Sequence, residues 1–284
     1  MKKLLLWAVI LLMTGCEPKE IVQEPLWLSE VFEYVYAPGQ HAALVSASDT
    51  TYVIGDPATH GKWLYLGGFG GYVVAGFPED IPNIEGPDFE VIALPGAGPE
   101  PAVVYVMADE NADGLPNDTW YELAGSQVAN SNRSYSLTYY RPESAESNIR
   151  WSDSEGATGE LQSGFGSPYT AGWWWEALTV DSIVLKGTRL PDAYVNTPVN
   201  GTDYWNVPAG RFEWGYAENQ QGSDYNSTTY SNALDISNAI DADGQAMQLD
   251  KIRFIKIQTA VFQQAGVTNE VSAEIRGARS ISAD

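Results

Sequence analysis

Oxygen-bearing residues at every second position, followed by a glycine, form the sequence Asp109-x-Asn111-x-Asp113-Gly114. Calcium takes about six to eight oxygen ligands, and side chains spaced by two residues can point at one ion while the glycine allows a sharp turn. Leu115 would add its backbone carbonyl, as in the first half of an EF-hand loop. The spacing therefore predicts a calcium-binding loop.

The second half of that motif is changed. Its bidentate glutamate is replaced by Trp120, so another carboxylate must complete the site, with Asp118 or Glu122 nearest in sequence and Glu100 within reach across a hairpin. The flanking residues indicate strands, which predicts a rigid site instead of a switch that opens a helix pair. The alternative is a turn without metal, because Asp, Asn and Gly are also good turn formers.

Tryptophan-rich segments are the candidates for a ligand-binding surface. Trp173, Trp174 and Trp175 are consecutive, and a strand sends alternate side chains to opposite faces, so at least one ring should point away from the core. Trp205 and Trp214 lie in a second segment, among Tyr, Asn and Asp. Exposed aromatic rings stack on sugars or flat macrocycles and are common at recognition surfaces. The alternative is that neighbouring loops cover these rings.

Composition leaves few catalytic mechanisms open. Cys16 is the only cysteine, and His41 and His60 are the only histidines, which argues against thiol catalysis and multi-histidine zinc sites. The sequence contains no G-x-S-x-G motif, which would have indicated a serine nucleophile. Glycan cleavage by two carboxylates stays open, because the chain has 37 acidic residues and this chemistry needs only a suitably spaced pair.

The formal net charge is −22, from 15 basic and 37 acidic residues. Such a negative field disfavours nucleic acid and anionic lipid surfaces as partners. Part of this acidity serves solubility, and divalent cations could neutralise clustered carboxylates. We therefore expect no nucleic-acid partner.

Short apolar runs separated by Gly, Pro, Asn and Asp recur along the chain, which is the pattern of strands and turns. Residues 26–284 are therefore predicted to form an all-β fold, a jelly-roll-type β-sandwich in a single large domain. Tyr135, Leu137 and Tyr139 alternate with other residues and predict one face of a strand. The predicted strands cover residues 51–55, 63–67, 71–77, 89–94, 102–108, 119–124, 134–140, 182–188, 251–259 and 270–278.

The N-terminus has the pattern of a targeting signal. Residues 1–15 contain two lysines, an apolar run and small residues ahead of Cys16, and the run is too short for a membrane-spanning helix. Thr14-Gly15-Cys16 resembles a bacterial lipobox, which implies cleavage before the cysteine and lipid attachment to it. We expect residues 16–25 to be a lipidated tether and the lipid to be the only membrane contact. The alternative is an ordinary secretory signal.

A family resemblance is carried by residues 63–94, 100–126, 212–219, 234–259 and 269–278. These stretches resemble a group of bacterial cell-surface lipoproteins of the Bacteroidetes type, and the core pattern is also similar to galactose-binding-like domains. The resemblance implies a jelly-roll sandwich and non-catalytic binding at the outer membrane. Some members are encoded near cobamide uptake systems, which implies an outer-membrane uptake complex as a partner.

Three functions follow from these features as hypotheses. The first is a lipid-anchored, calcium-stabilised surface protein that captures a glycan or a cobamide-like cofactor without catalysis. The second is a glycan hydrolase or lyase that uses a carboxylate pair. The third is a structural surface protein with no small ligand. Two carboxyl groups about 5–10 Å apart in an aromatic cleft would favour hydrolysis, and aromatic rings without such a pair would favour binding.

Overall fold

The computed structural model describes residues 24–42, 47–96, 98–145, 147–162, 172–175, 178–266 and 268–281. The predicted targeting signal, Cys16 and residues 16–23 of the predicted tether lie outside these ranges. In the part of the chain that is described, no helix is long and apolar enough to cross a membrane.

Strands dominate the described residues, and helical structure is limited to short 3-10 helices. The 3-10 helices span Ala47–Val53, Pro57–Thr59, Val128–Asn130 and Ile236–Asn238. The strands are β1 (Glu30–Val35), β2 (Leu64–Tyr65), β3 (Tyr72–Pro82), β4 (Phe89–Ala93), β5 (Ala102–Met107), β6 (Tyr121–Leu123), β7 (Asn132–Tyr140), β8 (Ile149–Asp153), β9 (Thr158–Leu161), β10 (Ser182–Arg189), β11 (Val195–Asn196), β12 (Trp205–Asn206), β13 (Tyr225–Asn226), β14 (Ser231–Leu234), β15 (Ala239–Ile240), β16 (Lys251–Thr259) and β17 (Glu274–Ser280).

The strands form an antiparallel sandwich. One sheet has six strands in the order β1-β3-β16-β5-β6-β15, and the other has five in the order β13-β14-β4-β17-β2. The chain crosses between them repeatedly, for example from β3 to β4 and from β16 to β17, as in jelly-roll-type sandwiches. The described strands also form a four-stranded sheet, in the order β10-β7-β8-β9, and a two-stranded ribbon, β11-β12. The predicted all-β sandwich is confirmed.

The main core lies between the six-stranded and five-stranded sheets. Apolar side chains of β3, β5 and β16 pack with those of β4 and β17, and the ring centroids of Phe77 and Phe89 are 6.3 Å apart. Ile255 and Ile257 of β16 belong to this core. Since successive side chains of a strand point to opposite faces, Lys256 between them faces away from the core.

A second core lies against the four-stranded sheet. Tyr135, Leu137 and Tyr139 of β7 are buried, as their alternation predicted. They pack with Phe69 and Trp173, and the Tyr139 hydroxyl donates a hydrogen bond to the Phe69 carbonyl at 2.9 Å. This core joins the four-stranded sheet to the rest of the sandwich.

The strand predicted at residues 51–55 is wrong. The segment instead completes the 3-10 helix Ala47–Val53, and Gly55 with a φ of 72° turns the chain after it. Val53 is fully buried in the main core, and a Cβ added at Gly277 of β17 would lie 3.3 Å from the Val53 carbonyl oxygen. Packing against the sheet therefore overrides the strand preference of Thr, Tyr and Val.

Candidate functional site

The acidic loop, residues 109–118, joins β5 to β6 and folds around its own side chains. Asp109 accepts hydrogen bonds from the backbone N–H groups of Asp113 at 3.1 Å and Gly114 at 3.0 Å. Asn111 Oδ1 accepts from the same Asp113 N–H at 2.9 Å. Two of the predicted calcium ligands therefore bring their oxygens to one place.

Further hydrogen bonds order the rest of the acidic loop. Asp113 accepts from the Asn117 side-chain amide at 2.9 Å and from the Leu115 N–H at 2.8 Å, and these bonds hold the pKa of Asp113 below its usual range. Asp118 accepts from the Glu110 N–H at 2.9 Å. These oxygen donors suit calcium, while the same bonds also satisfy a turn without metal. Calcium binding therefore stays a prediction.

Two carboxylates that could have completed the calcium site lie elsewhere. Glu122 is buried in β6, where it accepts from the Thr188 hydroxyl at 2.5 Å. Glu100 precedes β5 whereas the acidic loop follows it, and six residues of strand separate them by about 20 Å. Asp118 is the candidate that remains within the loop.

Two of the three consecutive tryptophans are buried. Trp173 is 2% exposed and Trp174 is 8% exposed, both in the second core. The Trp174 indole donates to the Leu178 carbonyl at 2.8 Å. Trp175 is half-buried, with its ring centroid 6.4 Å from that of Tyr34. Residues 172–175 form a bend and not a strand, so the alternation expected for these rings does not apply.

Trp205 and Trp214 lie apart from that triplet. Trp205 is half-buried in β12, which pairs with β11. Trp214 is 37% exposed, and its carbonyl accepts from the Ser126 N–H at 3.1 Å. The contacts of the described residues do not gather the predicted tryptophans into one surface, and their role in ligand binding stays a prediction.

A groove between two sheets gathers aromatic and basic side chains, and we call it the basic groove. Its volume is about 440 Å³. Tyr105 of β5 and Lys256 of β16 come from the six-stranded sheet, Lys186 of β10 comes from the four-stranded sheet, and Trp120 comes from the end of the acidic loop. Its described lining is completed by Arg133, Ser134, Tyr135 and Gly187.

Trp120 connects the basic groove to the acidic loop. It is half-buried, and it lies directly before β6 and two residues after Asp118. It occupies the position where the EF-hand motif has its glutamate, so a side chain that cannot bind the ion lines the groove instead. An ordered loop therefore positions one aromatic wall of the groove.

Lys256 is a basic side chain packed among aromatic rings. In β16 it pairs with Tyr105 of β5, and its ammonium lies 4.1 Å from the ring centroid of Tyr72 and 5.4 Å from that of Tyr105. Burial lowers the pKa of Lys256, while the nearby Glu33 carboxylate raises it. An anionic ligand would offset the water that this ammonium has lost, because charge-assisted hydrogen bonds are among the strongest.

A buried hydrogen-bond network holds Arg133 at the groove. Its guanidinium pairs with Glu122 at 3.3 Å and donates to the Asp241 carbonyl. The Thr188 hydroxyl donates to the same carboxylate, and the Tyr105 hydroxyl donates to Thr188 at 3.3 Å. Burial raises the pKa of Glu122, while Thr188 and Arg133 lower it. The network fixes Arg133 and Tyr105 on facing sheets.

The two sheets approach closely beside the basic groove. Gln258 of β16 donates its side-chain amide to the Lys186 carbonyl of β10 at 3.0 Å. A Cβ at Gly187 would lie 1.9 Å from Gln258 Oε1. Glycine at this position therefore allows the contact between the sheets, and it leaves the groove open above it.

Tyr105, Lys186 and Lys256 were not predicted from the sequence as site residues. Each lies in a strand, and only the pairing of distant strands brings the three together. One signal was available, since Lys256 interrupts an otherwise apolar run in a strand expected to be buried. A charged residue at such a position needs a partner or a function.

Comparison with known proteins adds no assignment to this geometry. No family model matches the chain, and a search of curated proteins finds no significant match.

Proposed function

We propose that the protein is an exported, lipid-anchored and calcium-stabilised binding protein that captures a ring-shaped ligand with an anionic group, without catalysis. The ligand is an acidic glycan or a cobamide-like cofactor, held in the basic groove and passed to an outer-membrane uptake complex. The observation that carries the proposal is the meeting of Trp120, Tyr105, Lys186 and Lys256 in one groove.

The aromatic walls of the basic groove support stacking on a ring. Trp120 and Tyr105 are both half-buried, and the hydrogen bond from Tyr105 to Thr188 holds that ring in place. Rigid aromatic side chains give a large contact area at a low cost in conformational entropy. The groove therefore has aromatic surfaces on which sugar rings can stack.

The charge of the basic groove is opposite to that of the chain. The net charge is −22, yet Lys186 and Lys256 line the groove and its described lining residues include no acidic side chain. Arg133 also lines it, with its charge paired to Glu122. A local positive site in a negative field attracts a small anionic group, while the surrounding field repels a long polyanion. This distribution supports recognition of a carboxylate or phosphate on a small ligand.

The size of the basic groove limits the ligand. About 440 Å³ lies within the range of about 300–1,000 Å³ that is usual for small-molecule sites. Such a groove suits a short stretch of glycan. A cobamide would place its phosphate-bearing arm in the groove while its macrocycle stays outside.

The lining supports binding over glycan hydrolysis. Glycosidases place two carboxyl groups about 5–10 Å apart beside the sugar. The described lining contains no Asp or Glu, and the Glu122 carboxylate behind it is occupied by Arg133 and Thr188. Capture without bond cleavage is the function that this arrangement supports best.

The targeting signal and the acidic loop complete the proposal. Residues 1–15 and Cys16 support export and lipid attachment. A calcium ion in the acidic loop would hold Trp120 in place, since that residue follows the loop directly. Chelation of calcium should therefore weaken ligand binding as well as stability.

The test is a titration followed by tryptophan fluorescence and calorimetry, with uronic-acid oligosaccharides, neutral oligosaccharides of equal length and cobalamin. We expect an acidic oligosaccharide or cobalamin to bind, and to bind more weakly in high salt because the charges are screened. W120A should weaken binding about 30-fold, as expected when about 2 kcal/mol from an aromatic anchor is lost. K186A should weaken it about two- to fivefold, as expected for an exposed charge.

W27A is the matched control, because Trp27 is half-buried like Trp120 and does not line the basic groove. Its binding should equal that of the unaltered protein. Equal binding by W120A, or no binding of any of the three probes, would contradict the proposal.

A further inference from the structure

A cluster of buried glutamates lies at one end of the sandwich, away from the basic groove and the acidic loop. Glu100 precedes β5, Glu274 begins β17, and Glu218 lies in the segment that pairs with the start of β5. One carboxylate oxygen from each of the three lies within 4.8 Å of the other two. Glu270 is a fourth buried glutamate near them. We call these four residues the glutamate cluster.

Two carboxylate oxygens in and beside this group lack a hydrogen-bond donor among the described residues. Glu218 is 0% exposed, and its Oε2 accepts from the Glu274 N–H at 2.5 Å while its Oε1 has no partner. Glu270 is 4% exposed, and its Oε2 accepts from the Gln40 N–H at 2.7 Å while its Oε1 has no partner. Buried polar atoms are nearly always satisfied, so such atoms call for a ligand.

The described residues supply no cation to balance these charges. The basic group beside the cluster is His41, whose Nε2 lies 3.8 Å from Oε1 of Glu274. Burial lowers the pKa of His41 to about 4, so the imidazole is neutral at neutral pH. Burial and mutual repulsion raise the pKa of Glu100 and Glu218, and burial raises that of Glu270 to about 8. The cluster must therefore hold either protons or a positive ion.

Elsewhere in its interior the chain neutralises a buried glutamate with an arginine. Glu90 is 6% exposed, and it accepts from the Arg279 Nε at 2.5 Å and from the Ser231 hydroxyl at 2.5 Å. Both oxygens of the Glu90 carboxylate therefore accept a hydrogen bond. The glutamate cluster has four carboxyl groups and no such arginine among the described residues.

We propose that Glu100, Glu218 and Glu274, with Glu270 beside them, bind one divalent cation inside the sandwich. Cations that prefer carboxylate oxygen, such as calcium and manganese, suit this donor set. Two oxygens on opposite sides of a calcium ion are about 4.8 Å apart, since each bond is about 2.4 Å long. The oxygen separations in the cluster fit this limit. The site depends neither on the basic groove nor on the acidic loop.

A small cavity and a supporting hydrogen bond adjoin the cluster. Glu270 lines a narrow cavity of about 20 Å³ with Trp173 and Tyr139, which has room for one water-sized occupant. The Ser272 hydroxyl donates to Glu274 at 2.9 Å and orients that carboxylate. Supporting hydrogen bonds of this kind fix ligands around metal ions.

The experiment measures bound metal in the full mature chain carrying D109A and D113A, which removes two aspartate ligands of the acidic loop. Calcium, manganese, zinc and magnesium are offered in separate dialyses. We expect one divalent ion per chain, and a rise in melting temperature of roughly 5–15 °C at a few hundred times the dissociation constant. E218Q and E274Q added to this background should each abolish that binding.

E90Q is the matched control, because it also neutralises a buried glutamate and should leave metal binding unchanged. A second measurement needs no substitution in the cluster: cation binding at about pH 7 should release protons, because the buried carboxyl groups must ionise to become ligands. No bound ion in the D109A/D113A chain, or binding that survives E218Q and E274Q, would overturn the proposal. Binding without proton release would do the same.

Discussion

The acidic loop and the glutamate cluster present the same functional group in opposite surroundings. Asp113 in the loop is exposed, and its carboxylate accepts hydrogen bonds from Leu115 and Asn117. Glu218 in the cluster is fully buried, and one of its oxygens has no donor among the described residues. Water and hydrogen bonds stabilise the first carboxylate on all sides, whereas the second has lost its water and accepts a single backbone N–H, that of Glu274.

The consequence appears in the direction of the pKa shifts. Hydrogen bonds lower the pKa of Asp113, so its charge is favoured in the folded state. Burial raises the pKa of Glu218, and the neighbouring Glu274 and Glu100 raise it further. A cation is therefore optional for the folding of the loop, whereas the cluster at neutral pH needs either a cation or protons.

The largest expected effect is the pH dependence of the chelator-treated protein, which should lose stability between about pH 5 and about pH 8. Burial raises the pKa of Glu270 to about 8 and that of Glu274 to about 7, from ordinary values of 4.5. Between those values the folded state keeps protons that the unfolded state has lost. Each such proton lowers the free energy of unfolding by about 1.4 kcal/mol per pH unit. Denaturant unfolding with chelator across this range measures the fall.

Neighbouring groups set the controls for that measurement. Burial lowers the pKa of His41 from 6.5 to about 4. Between these pH values the unfolded state binds the extra proton, so His41 makes the free energy of unfolding rise with pH. Tyr36 and Tyr194, whose pKa values are raised above the ordinary value, stay neutral in this range. A saturating divalent cation should remove the fall, because the ionised carboxylates then bind the ion. Stability that stays level in chelator would contradict this description of the cluster.

An intermediate effect is expected from E218Q, and its sign should depend on metal. In chelator at about pH 8 the neutral amide removes the repulsion between Glu218 and the neighbouring Glu274 and Glu100, which should stabilise the folded state by about 1–3 kcal/mol. With a divalent cation present the same substitution removes a ligand and should lower the melting temperature. D113N in the acidic loop is the matched variant, and in chelator it should leave stability nearly unchanged, because Asp113 is exposed. A destabilising effect of E218Q under both conditions would argue against the cation site.

The smallest effect is expected from D109A/D113A in the acidic loop. The exposed site should contribute about 1–2 kcal/mol at calcium concentrations some tenfold above its dissociation constant, and the double substitution should remove that contribution. The emission of Trp120, isolated by comparison with W120F, should respond to calcium in the unaltered loop only. If the emission of Trp120 did not change on addition of calcium to the unaltered protein, the prediction that the acidic loop binds calcium would be contradicted.

Local patterns predicted much of the fold. The alternation of Tyr135, Leu137 and Tyr139 gave the buried face of β7, and the apolar run at residues 251–259 gave β16. These predictions succeed because one buried face imposes a period of two on a strand. The strand predicted at residues 51–55 was wrong, because packing against β17 decides the conformation of this segment and its composition does not.

The candidate sites also differ in whether local sequence patterns could predict them. Asp109, Asn111 and Asp113 were predicted as calcium ligands from their spacing alone, and the hydrogen bonds that order them join residues a few positions apart. The pairing of Lys256 with Tyr105 depends on the register of β16 against β5. No local pattern reports that register, so the basic groove was not predicted. The sequence could not choose between exposure and burial of Trp173 and Trp174 for the same reason, because their burial depends on packing against β7 and Phe69.

The sequence by itself determined the all-β class, the positions of the main strands and the ordered acidic loop. Only the tertiary structure decided that Trp120 meets Lys256 across a groove, and that Glu100, Glu218 and Glu274 share one buried site. The physical reason is the range of the interactions involved. Hydrogen bonds and alternation act between near neighbours in the chain, whereas burial and the energy of a charge depend on residues that folding brings together from more than a hundred positions apart.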